Sequence, residues 1–185
     1  MKPNALGASP ATTDAALLAR VAEGDVAALG QLYDRYAESL LRFVRRVDAH
    51  DPEDVVQTVF LRVLRIAGTF HADAASARPW LFAIALRVLQ ERNRALRRWG
   101  AALLRLASEA ERSHASRADL RSDVARGLAQ LSVAKRSVLI LAEIEGFGCE
   151  EIAAMLAIPV GTVWTSLHHA RRELRQFHER AEASG

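Results

Sequence analysis

The side chains best suited to bind another molecule are concentrated near the end of the chain, in the segment IPVGTVWTSLHHARRELR at residues 158–175. Its hydroxyl, imidazole, indole and guanidinium groups can donate hydrogen bonds to phosphate oxygens and base edges. His168 and His169 are adjacent, so on a helix their side chains diverge by about 100° and cannot form a metal-binding pair, which needs a spacing such as i, i+4. The residue types therefore favour contact with nucleic acid over metal chemistry.

The same segment has the pattern of the second helix of a helix-turn-helix unit at residues 148–174. Its apolar side chains fall within a narrow arc that is expected to be buried: Val163, Leu167, Ala170 and Leu174. The opposite arc carries small or polar residues: Gly161, Thr165, His168, His169 and Arg172. A buried back and a polar front are what a helix that reads the DNA major groove requires. An ordinary helical hairpin has the same pattern, and the motif alone leaves that alternative open.

Helices are also predicted for most of the remaining chain, because apolar residues recur at three- and four-residue steps and no stretch alternates with the period of a strand. Asp14, Asp25 and Asp51 are expected to begin three of these helices as N-caps. The helix after Asp25 is predicted to include Tyr33 on its apolar face, and the helix after Asp51 to include Leu64 on its own. The predicted fold class is all-α.

Two helical domains are predicted, because the apolar pattern is lost in the middle of the chain. The first domain covers residues 14–98, and the second, which contains the helix-turn-helix unit, covers residues 122–180. Residues 99–121 are expected to form a partly helical linker. Residues 1–13, rich in Pro, Ala and Thr, are expected to be disordered.

The composition limits the class of protein. Half of the residues are hydrophobic, which allows a packed core, and the single cysteine, Cys149, excludes an internal disulfide framework or a thiolate metal cluster. A cytoplasmic protein without membrane insertion is expected, because no apolar run approaches about 20 residues and the N-terminus lacks the apolar core of a secretion signal. Nine acidic and five basic residues lie between Asp14 and Asp54, whereas eight basic and three acidic residues lie between Arg87 and Arg117. The chain is therefore expected to present one acidic and one basic surface.

Five segments, in this order, carry a family resemblance: LYDRYAESLLRFVRR, DPEDVVQTVFLRV, RPWLFAIA, LAEIEGFGCEEIAAMLAIPVGTV and ARRELR. Together they make the chain resemble an extracytoplasmic-function (ECF) sigma factor of the sigma-70 family, over roughly residues 14–178. Such a protein is a small bacterial subunit with only sigma regions 2 and 4. The resemblance implies that the first domain is region 2, that the second is region 4, and that the chain directs RNA polymerase to promoters.

The resemblance implies a polymerase contact on the helix that begins DPEDVVQ. In the family, a motif D-x-V-Q on this helix docks on the clamp helices of the largest catalytic subunit. The matching residues are Asp54 and Gln57, and Thr58 stands at the next position, which is usually acidic. Without the resemblance, the acidic residues here would be interpreted as stabilising the start of the helix.

Residues 70–98 resemble the part of region 2 that melts the minus-ten promoter element and holds a flipped base. Such a site needs an aromatic or apolar pocket and a basic groove for the single strand. The candidate DNA-binding residues are Phe70, Arg87, Glu91, Arg94, Arg97 and Arg98. Arg92 belongs to the same basic set, and Trp80 is expected in the core. The family usually has Arg-Asn after WLFAIA, where this chain has Leu86-Arg87, so a side chain able to donate and accept at a base edge is missing.

The helix-turn-helix unit resembles region 4, which reads the minus-thirty-five element. The candidate DNA-binding residues are Thr162, Trp164, Thr165, His168, His169 and Arg172. The family often has a basic residue at the positions of Trp164, Ser166 and His169. Each missing arginine removes a phosphate or guanine contact, so a weaker electrostatic grip on DNA is expected.

The partners implied by the resemblance are core RNA polymerase, promoter DNA and an anti-sigma factor. No cofactor, metal site or enzymatic activity is expected, since the sequence has no phosphate loop, no metal-ligand pair at helical spacing and no nucleophile in a recognisable setting. One alternative is a sigma-like regulator with degenerate promoter recognition that acts by protein–protein contact. Another is an ordinary helix-turn-helix repressor or activator, which would leave DPEDVVQ and RPWLFAIA unexplained.

Overall fold

Eight α-helices form the part of the chain that the computed structural model describes, which is residues 12–71, 73–74, 76–106 and 123–183. The helices are α1 (Asp14–Ala22), α2 (Val26–Val47), α3 (Pro52–Ile66), α4 (Arg78–Leu106), α5 (Asp123–Gln130), α6 (Val133–Glu143), α7 (Cys149–Leu156) and α8 (Val160–Glu182). A short 3-10 turn, Ala67–Thr69, follows α3. These residues contain no β-strand, and the predicted all-α class is confirmed.

The starts of the first two helices depend on side chains that satisfy the unpaired backbone N–H groups. Asp25 caps α2 as predicted, because its carboxylate accepts hydrogen bonds from two N–H groups of the first turn at 2.9 and 3.1 Å. The prediction for Asp14 is wrong. The hydroxyl of Thr13 caps α1 by accepting from the N–H of Ala16 at 3.2 Å, and Asp14 is the first helical residue with its side chain buried.

The carboxylate of Asp14 connects three parts of the first domain. It accepts hydrogen bonds from the hydroxyl of Tyr36 and the guanidinium of Arg35, both on α2, and from the N–H of Ala77 at 2.8 Å, immediately before α4. Burial is the largest single influence and raises the pKa of Asp14. The hydrogen bonds from Tyr36, Ala77 and Arg35 together outweigh burial and hold this pKa below its ordinary value. Asp14 thereby fixes α1, α2 and the start of α4 relative to one another.

The apolar faces of α1 to α4 form the core of the first domain. Phe43 and Phe82 are fully buried, and their ring centroids lie 5.0 Å apart. Two residues predicted on apolar faces lie at the surface instead, with Tyr33 48 % exposed and Leu64 38 % exposed. Both stand at the border of an apolar arc, where a side chain is buried only if a neighbouring helix covers it. The ring of Tyr33 does pack on Phe60, with centroids 4.9 Å apart.

The helix boundaries refine the predicted domain limits. Helix α4 continues to Leu106, so the first part of the predicted linker is helical, and residues 107–122 lie outside the described part of the chain. Of the predicted N-terminal tail, residues 1–11 also lie outside it, whereas Thr13 belongs to the cap of α1.

The second domain consists of α5 to α8 and rests against the first. Helices α5 and α8 cross closely at Gly127, where an added Cβ would lie only 2.5 Å from Cδ1 of Leu174. Phe147, between α6 and α7, packs edge-to-face on Phe82 of α4, with ring centroids 5.3 Å apart. The buried residues of the two domains therefore form one continuous core.

Candidate nucleic-acid and protein interfaces

The predicted helix-turn-helix unit is formed by α7, a three-residue turn and α8. Glu151 fixes the start of α7, because its carboxylate accepts a hydrogen bond from the N–H of Gly148 at 2.8 Å. Helix α7 ends at Leu156, and the next residue, Ala157, has a φ of 53°, the left-handed conformation that stops a helix. The next N–H donates back to the carbonyl of Ala153 at 3.1 Å. The turn thereby fixes the angle between α7 and α8.

Helix α8 has a buried back and an exposed front, as its sequence predicts. Val163, Leu167 and Ala170 are buried, and Leu174 is half-buried where α8 passes Gly127 of α5. On the front, Thr162, Thr165, His168 and Arg172 are exposed and His169 is half-buried. The indole of Trp164 is 60 % exposed on one flank, so the core does not require it. A ring of this size at the surface offers apolar area and one N–H donor to a partner.

Several polar groups of this face already have partners. The guanidinium of Arg171 pairs with Glu143 of α6, with 2.9 Å between Nε and Oε1. The hydroxyl of Thr165 donates to the carbonyl of Gly161 at 2.8 Å and keeps its lone pairs as acceptors. Residues 160–170 contain no Lys or Arg. The first half of α8 therefore offers hydrogen-bonding groups and an aromatic ring without permanent positive charge.

A second candidate surface runs along α4. Arg87, Arg94 and Arg98 are exposed and follow one another at helical spacing, so they form a row on one face. Glu91 belongs to the same row, but Arg62 of α3 donates to both of its oxygens, at 3.1 and 2.5 Å. The Arg62 hydrogen bonds are the main reason that the pKa of Glu91 is lowered, and they keep this carboxylate ionised. The side chain of Arg97 lies outside the described residues.

A second ion pair also holds α4 against α3. Arg92 donates to Oδ2 of Asp51 at 2.9 Å. Asp51 does precede α3 as predicted, but it has a φ of 42° and its carboxylate makes no cap hydrogen bond. Arg92, predicted as part of the basic groove, therefore faces α3 and helps to position α4.

Two aromatic rings lie beside the start of α4. Phe70 and Trp80 are both half-buried and meet edge-to-face, with ring centroids 5.5 Å apart. The prediction that Trp80 lies in the core is only partly right, because its side chain packs against the core but stays half-buried. The pair forms an apolar wall at the end of the cationic row, of the kind on which an unstacked base can pack.

A third candidate surface is the outer face of α3. Asp54 and Gln57 are exposed and Thr58 is half-buried. Leu61 is 52 % exposed and continues the face at helical spacing, followed by Leu64. Sequence reasoning missed Leu61, although its position seven residues after Asp54 places it on the outer side. An acid, an amide and two leucines on one face suit a protein partner better than a nucleic acid.

In the residues that the structure describes, no group of three or more His, Cys, Asp or Glu side chains is placed to hold a metal ion. No helix in the same part of the chain is long and apolar enough to cross a membrane. Cys149 has a free, half-buried thiol at the start of α7. It shares a groove of about 670 Å³ with Trp164 and Arg172.

Comparison with known families and proteins accounts for both domains. The sigma-70 region 2 family matches residues 32–99, and the sigma-70 region 4 family matches residues 121–174. The ECF RNA polymerase sigma factor SigL of Mycobacterium tuberculosis (strain ATCC 25618 / H37Rv) is 34 % identical over 160 residues, which cover 83 % of this chain and 90 % of that protein. The ECF RNA polymerase sigma-E factor of Escherichia coli (strain K12) is 32 % identical over 177 residues, which cover 88 % and 92 %.

The fold agrees with these relatives. The structure of CnrH in complex with the cytosolic domain of CnrY is similar with a TM-score of 0.64 and 27 % identity, over 90 % of this chain and 97 % of that one. Two helical domains that match regions 2 and 4 in order define the class, a sigma subunit that directs transcription. Within that class, the chain belongs to the ECF sigma factors of the sigma-70 family.

Proposed function

We propose that the chain binds core RNA polymerase and directs it to promoters whose minus-ten element is melted by the first domain and whose minus-thirty-five element is read by the second. Residues 14–98 act as region 2 and residues 122–180 as region 4, joined by residues 99–121. The observation that carries the proposal is that one chain combines an anchored helix-turn-helix unit with a cationic row on α4. The polymerase performs the chemistry in the bacterial cytoplasm, and the chain itself supplies no catalytic group.

In the first domain, the cationic row binds the backbone of the melted strand. Arg87, Arg94 and Arg98, together with Arg97, neutralise phosphates, and Phe70 offers its ring to an extruded base. Glu91 is held by Arg62 but still has lone pairs that can accept from the amino group of a cytosine. This arrangement favours binding of single-stranded over duplex DNA, because the aromatic wall needs an unstacked base.

In the second domain, the front of α8 enters the major groove. The DNA contacts proposed for this face are those of Thr162, Trp164, Thr165, His168, His169 and Arg172. The indole of Trp164 covers sugar edges or a thymine methyl group, and the hydroxyl of Thr165 accepts from a base amino group. Arg172 binds a phosphate and orients the helix on the duplex.

The outer face of α3 binds the polymerase through Asp54, Gln57 and Thr58, and we add Leu61 as its apolar centre. An anti-sigma factor is the proposed inhibitor, and it acts by covering the polymerase- and DNA-facing surfaces. The likeness to CnrH, whose structure was solved with a bound protein domain, supports a fold of this kind accepting a protein partner.

The test is the double variant Asp54→Arg with Gln57→Ala, measured by fluorescence anisotropy against core RNA polymerase. We expect affinity to fall at least about tenfold, because a charge of the wrong sign replaces an interface contact. The control is Asp34→Arg with Gln31→Ala, which makes the same changes at exposed positions of α2. Circular dichroism checks the fold of both. Equal affinity of the two double variants would remove α3 as the polymerase contact.

A second candidate function is a sigma-like regulator that binds polymerase but does not select promoters. It is favoured by the absence of Lys and Arg from residues 160–170 and by the pairing of Arg171 with Glu143. Transcription from a promoter library with core polymerase separates the two functions. Selective initiation at a subset of promoters supports the first, and polymerase binding without any promoter preference supports the second.

A further inference from the structure

The connection between α6 and α7 docks the second domain on the first through a shared carboxylate. Glu145 has a side chain only 9 % exposed, and it lies between two arginines of the first domain. Arg78, at the start of α4, donates to its Oε2 at 2.7 Å, and Arg46, near the end of α2, lies 3.5 Å from its Oε1. One acidic side chain of the second domain therefore joins two helices of the first.

Aromatic rings surround the same contact. The guanidinium of Arg78 lies over the ring of Phe147 at 4.4 Å and over the ring of Phe82 at 4.9 Å. Gly146, between Glu145 and Phe147, has a φ of 75°, in the left-handed region that glycine adopts without strain. The ion pairs are thus shielded on one side by apolar surface, which increases the Coulomb attraction between the partners. Removal of one partner would leave the other charge poorly solvated.

A further interdomain contact satisfies the end of α2. Arg136 of α6 donates to the carbonyl of Val47 at 2.7 Å, and it also donates to the carbonyls of Leu128, Ala129 and Leu131 within its own domain. The last carbonyls of a helix have no partner within the helix, and a cation there is favoured by the helix dipole. The domains are therefore joined both by polar contacts and by the apolar packing of Phe147 on Phe82, and the polar contacts are the part that a single substitution can remove.

In the docked arrangement, one edge of each proposed DNA surface lies at a cleft between the domains. A space of about 600 Å³ between the domains is lined by Arg94 of the cationic row and by Thr162 and Ser166 of α8. Elements about 25 base pairs apart span roughly 85 Å of DNA, at about 3.4 Å per base pair. A compact chain of this length has a radius of gyration of about 16 Å and is roughly 40 Å across. The docked chain cannot reach both promoter elements.

We propose that the Glu145 contact is a reversible intramolecular latch, in which the first domain is the docking surface for the second, and that the latched form is the resting state of the free chain. The consequence for promoters rests on the proposed function, whereas the latch itself rests on the contacts of Glu145, Arg78 and Arg46. Opening the latch lets the two DNA surfaces, which are already largely exposed in the docked chain, move apart so that each can reach its own promoter element.

The experiment measures the distance between the domains in the full chain. Spin labels are attached at Gln31→Cys on α2 and Glu150→Cys on α7 in a Cys149→Ser background, and distance distributions are recorded by pulsed electron paramagnetic resonance. We expect one narrow short distance without further changes. Glu145→Gln should raise the ratio of long to short distances by at least about tenfold. Glu143→Gln removes the same charge nearby but breaks only the Arg171 pair within the second domain, so it should leave the distribution unchanged.

A charge exchange completes the test. Arg78→Glu alone should open the chain, and Arg78→Glu with Glu145→Arg should restore part of the short-distance population. A broad distribution before any latch substitution, or an unchanged one in Glu145→Gln, overturns the latch. Core RNA polymerase added to the labelled chain tests the proposed function separately. Failure of polymerase to bind counts against that function and not against the latch, which the distances of the free chain decide.

Discussion

The two helices proposed to face DNA, α4 and α8, are equipped with different chemistry. Helix α4 presents a row of exposed arginines and is held to α3 by the Arg62–Glu91 and Arg92–Asp51 ion pairs. Helix α8 presents hydroxyls, imidazoles and an exposed indole, with no Lys or Arg in residues 160–170. Phosphate contacts supply affinity without sequence information, and contacts to base edges supply selectivity. Under the proposed function, we therefore expect the first domain to contribute more of the affinity for DNA and α8 to contribute more of the promoter selectivity.

Removal of the cationic row on α4 should have the largest effect, a loss of affinity for promoter DNA. The test is a triple variant that loses three phosphate contacts, Arg87→Ala with Arg94→Ala and Arg98→Ala. The affinity of the polymerase complex for promoter DNA should fall by about 100-fold. The slope of log affinity against log salt should decrease by about 2 to 3. Filter binding from 50 to 300 mM salt, roughly the range over which such slopes are resolved, measures both.

The control for charge alone is Arg20→Ala, Arg42→Ala, Arg45→Ala on α1 and α2, where three exposed arginines are removed from other faces. An equal loss of affinity in this control would mean that total charge, and not the row on α4, holds the DNA.

Removal of the Trp164 indole should affect promoter selectivity more than affinity for DNA. Trp164→Ala should lower transcription from the cognate promoter about tenfold and from weak promoters much less, because a base contact contributes about 1 to 3 kcal/mol. Thermal stability should hardly change, since the ring is 60 % exposed. Leu167→Ala, three positions along and buried, should instead lower the free energy of unfolding by about 2 to 5 kcal/mol. A large stability loss in Trp164→Ala with unaltered promoter ranking would mean that the indole packs and does not read.

Substitution of Asp14 tests how strongly its hydrogen bonds to α2 and to the start of α4 stabilise the first domain. The pKa of Asp14 is lower in the folded chain than its ordinary value of 3.8, so its contribution to stability is present above about pH 3.8 and is lost as the pH falls through the lower folded value. Asp14→Asn should therefore lower the free energy of unfolding by about 1 to 3 kcal/mol at pH 7. Its difference from the unaltered chain should shrink below pH 3.8.

Urea unfolding between pH 7 and pH 3, roughly the interval that brackets an ordinary aspartate pKa, measures the Asp14 effect. Asp34→Asn, at an exposed position of α2, is the control and should show little change at any pH. A difference that stays constant across this interval would show that the charge of Asp14 is not what matters.

Addition of positive charge to α8 should have the smallest effect, a modest rise in transcription without a change in selectivity. Ser166→Arg with His169→Arg supplies two phosphate contacts, so transcription should rise about threefold and the salt slope should increase by up to about 2. Promoter ranking should stay the same, because phosphates carry no sequence information. Ser39→Arg with His50→Arg makes the same changes on the first domain, and a similar rise there would point to a nonspecific effect of charge.

Local patterns in the sequence were sufficient for the fold class, for the cap at Asp25 and for the buried back of α8. Each depends on residues a few positions apart. The inward turn of Asp14 was not predictable in this way, because its partner Ala77 lies 63 residues further along the chain. The capture of Glu91 by Arg62 likewise depends on how two helices cross. The partners of long or buried polar side chains depend on which helices pack together. The spacing of residues along one helix does not predict those partners.

Ala157, the left-handed residue that follows α7, affects the free energies of both the folded and the unfolded chain. Ala157 accepts a φ that its methyl group disfavours by about 1 kcal/mol or somewhat more. Glycine would remove that penalty, but it would also give the unfolded chain more conformational entropy, worth about 0.4 to 1 kcal/mol. The two effects nearly cancel, so Ala157→Gly should hardly alter the melting temperature. Glycine would instead widen the range of folded conformations, since a residue without Cβ allows more crossing angles between α7 and α8. A methyl group at this turn therefore narrows the range of orientations of α8, the helix proposed to read DNA, at almost no net thermodynamic penalty.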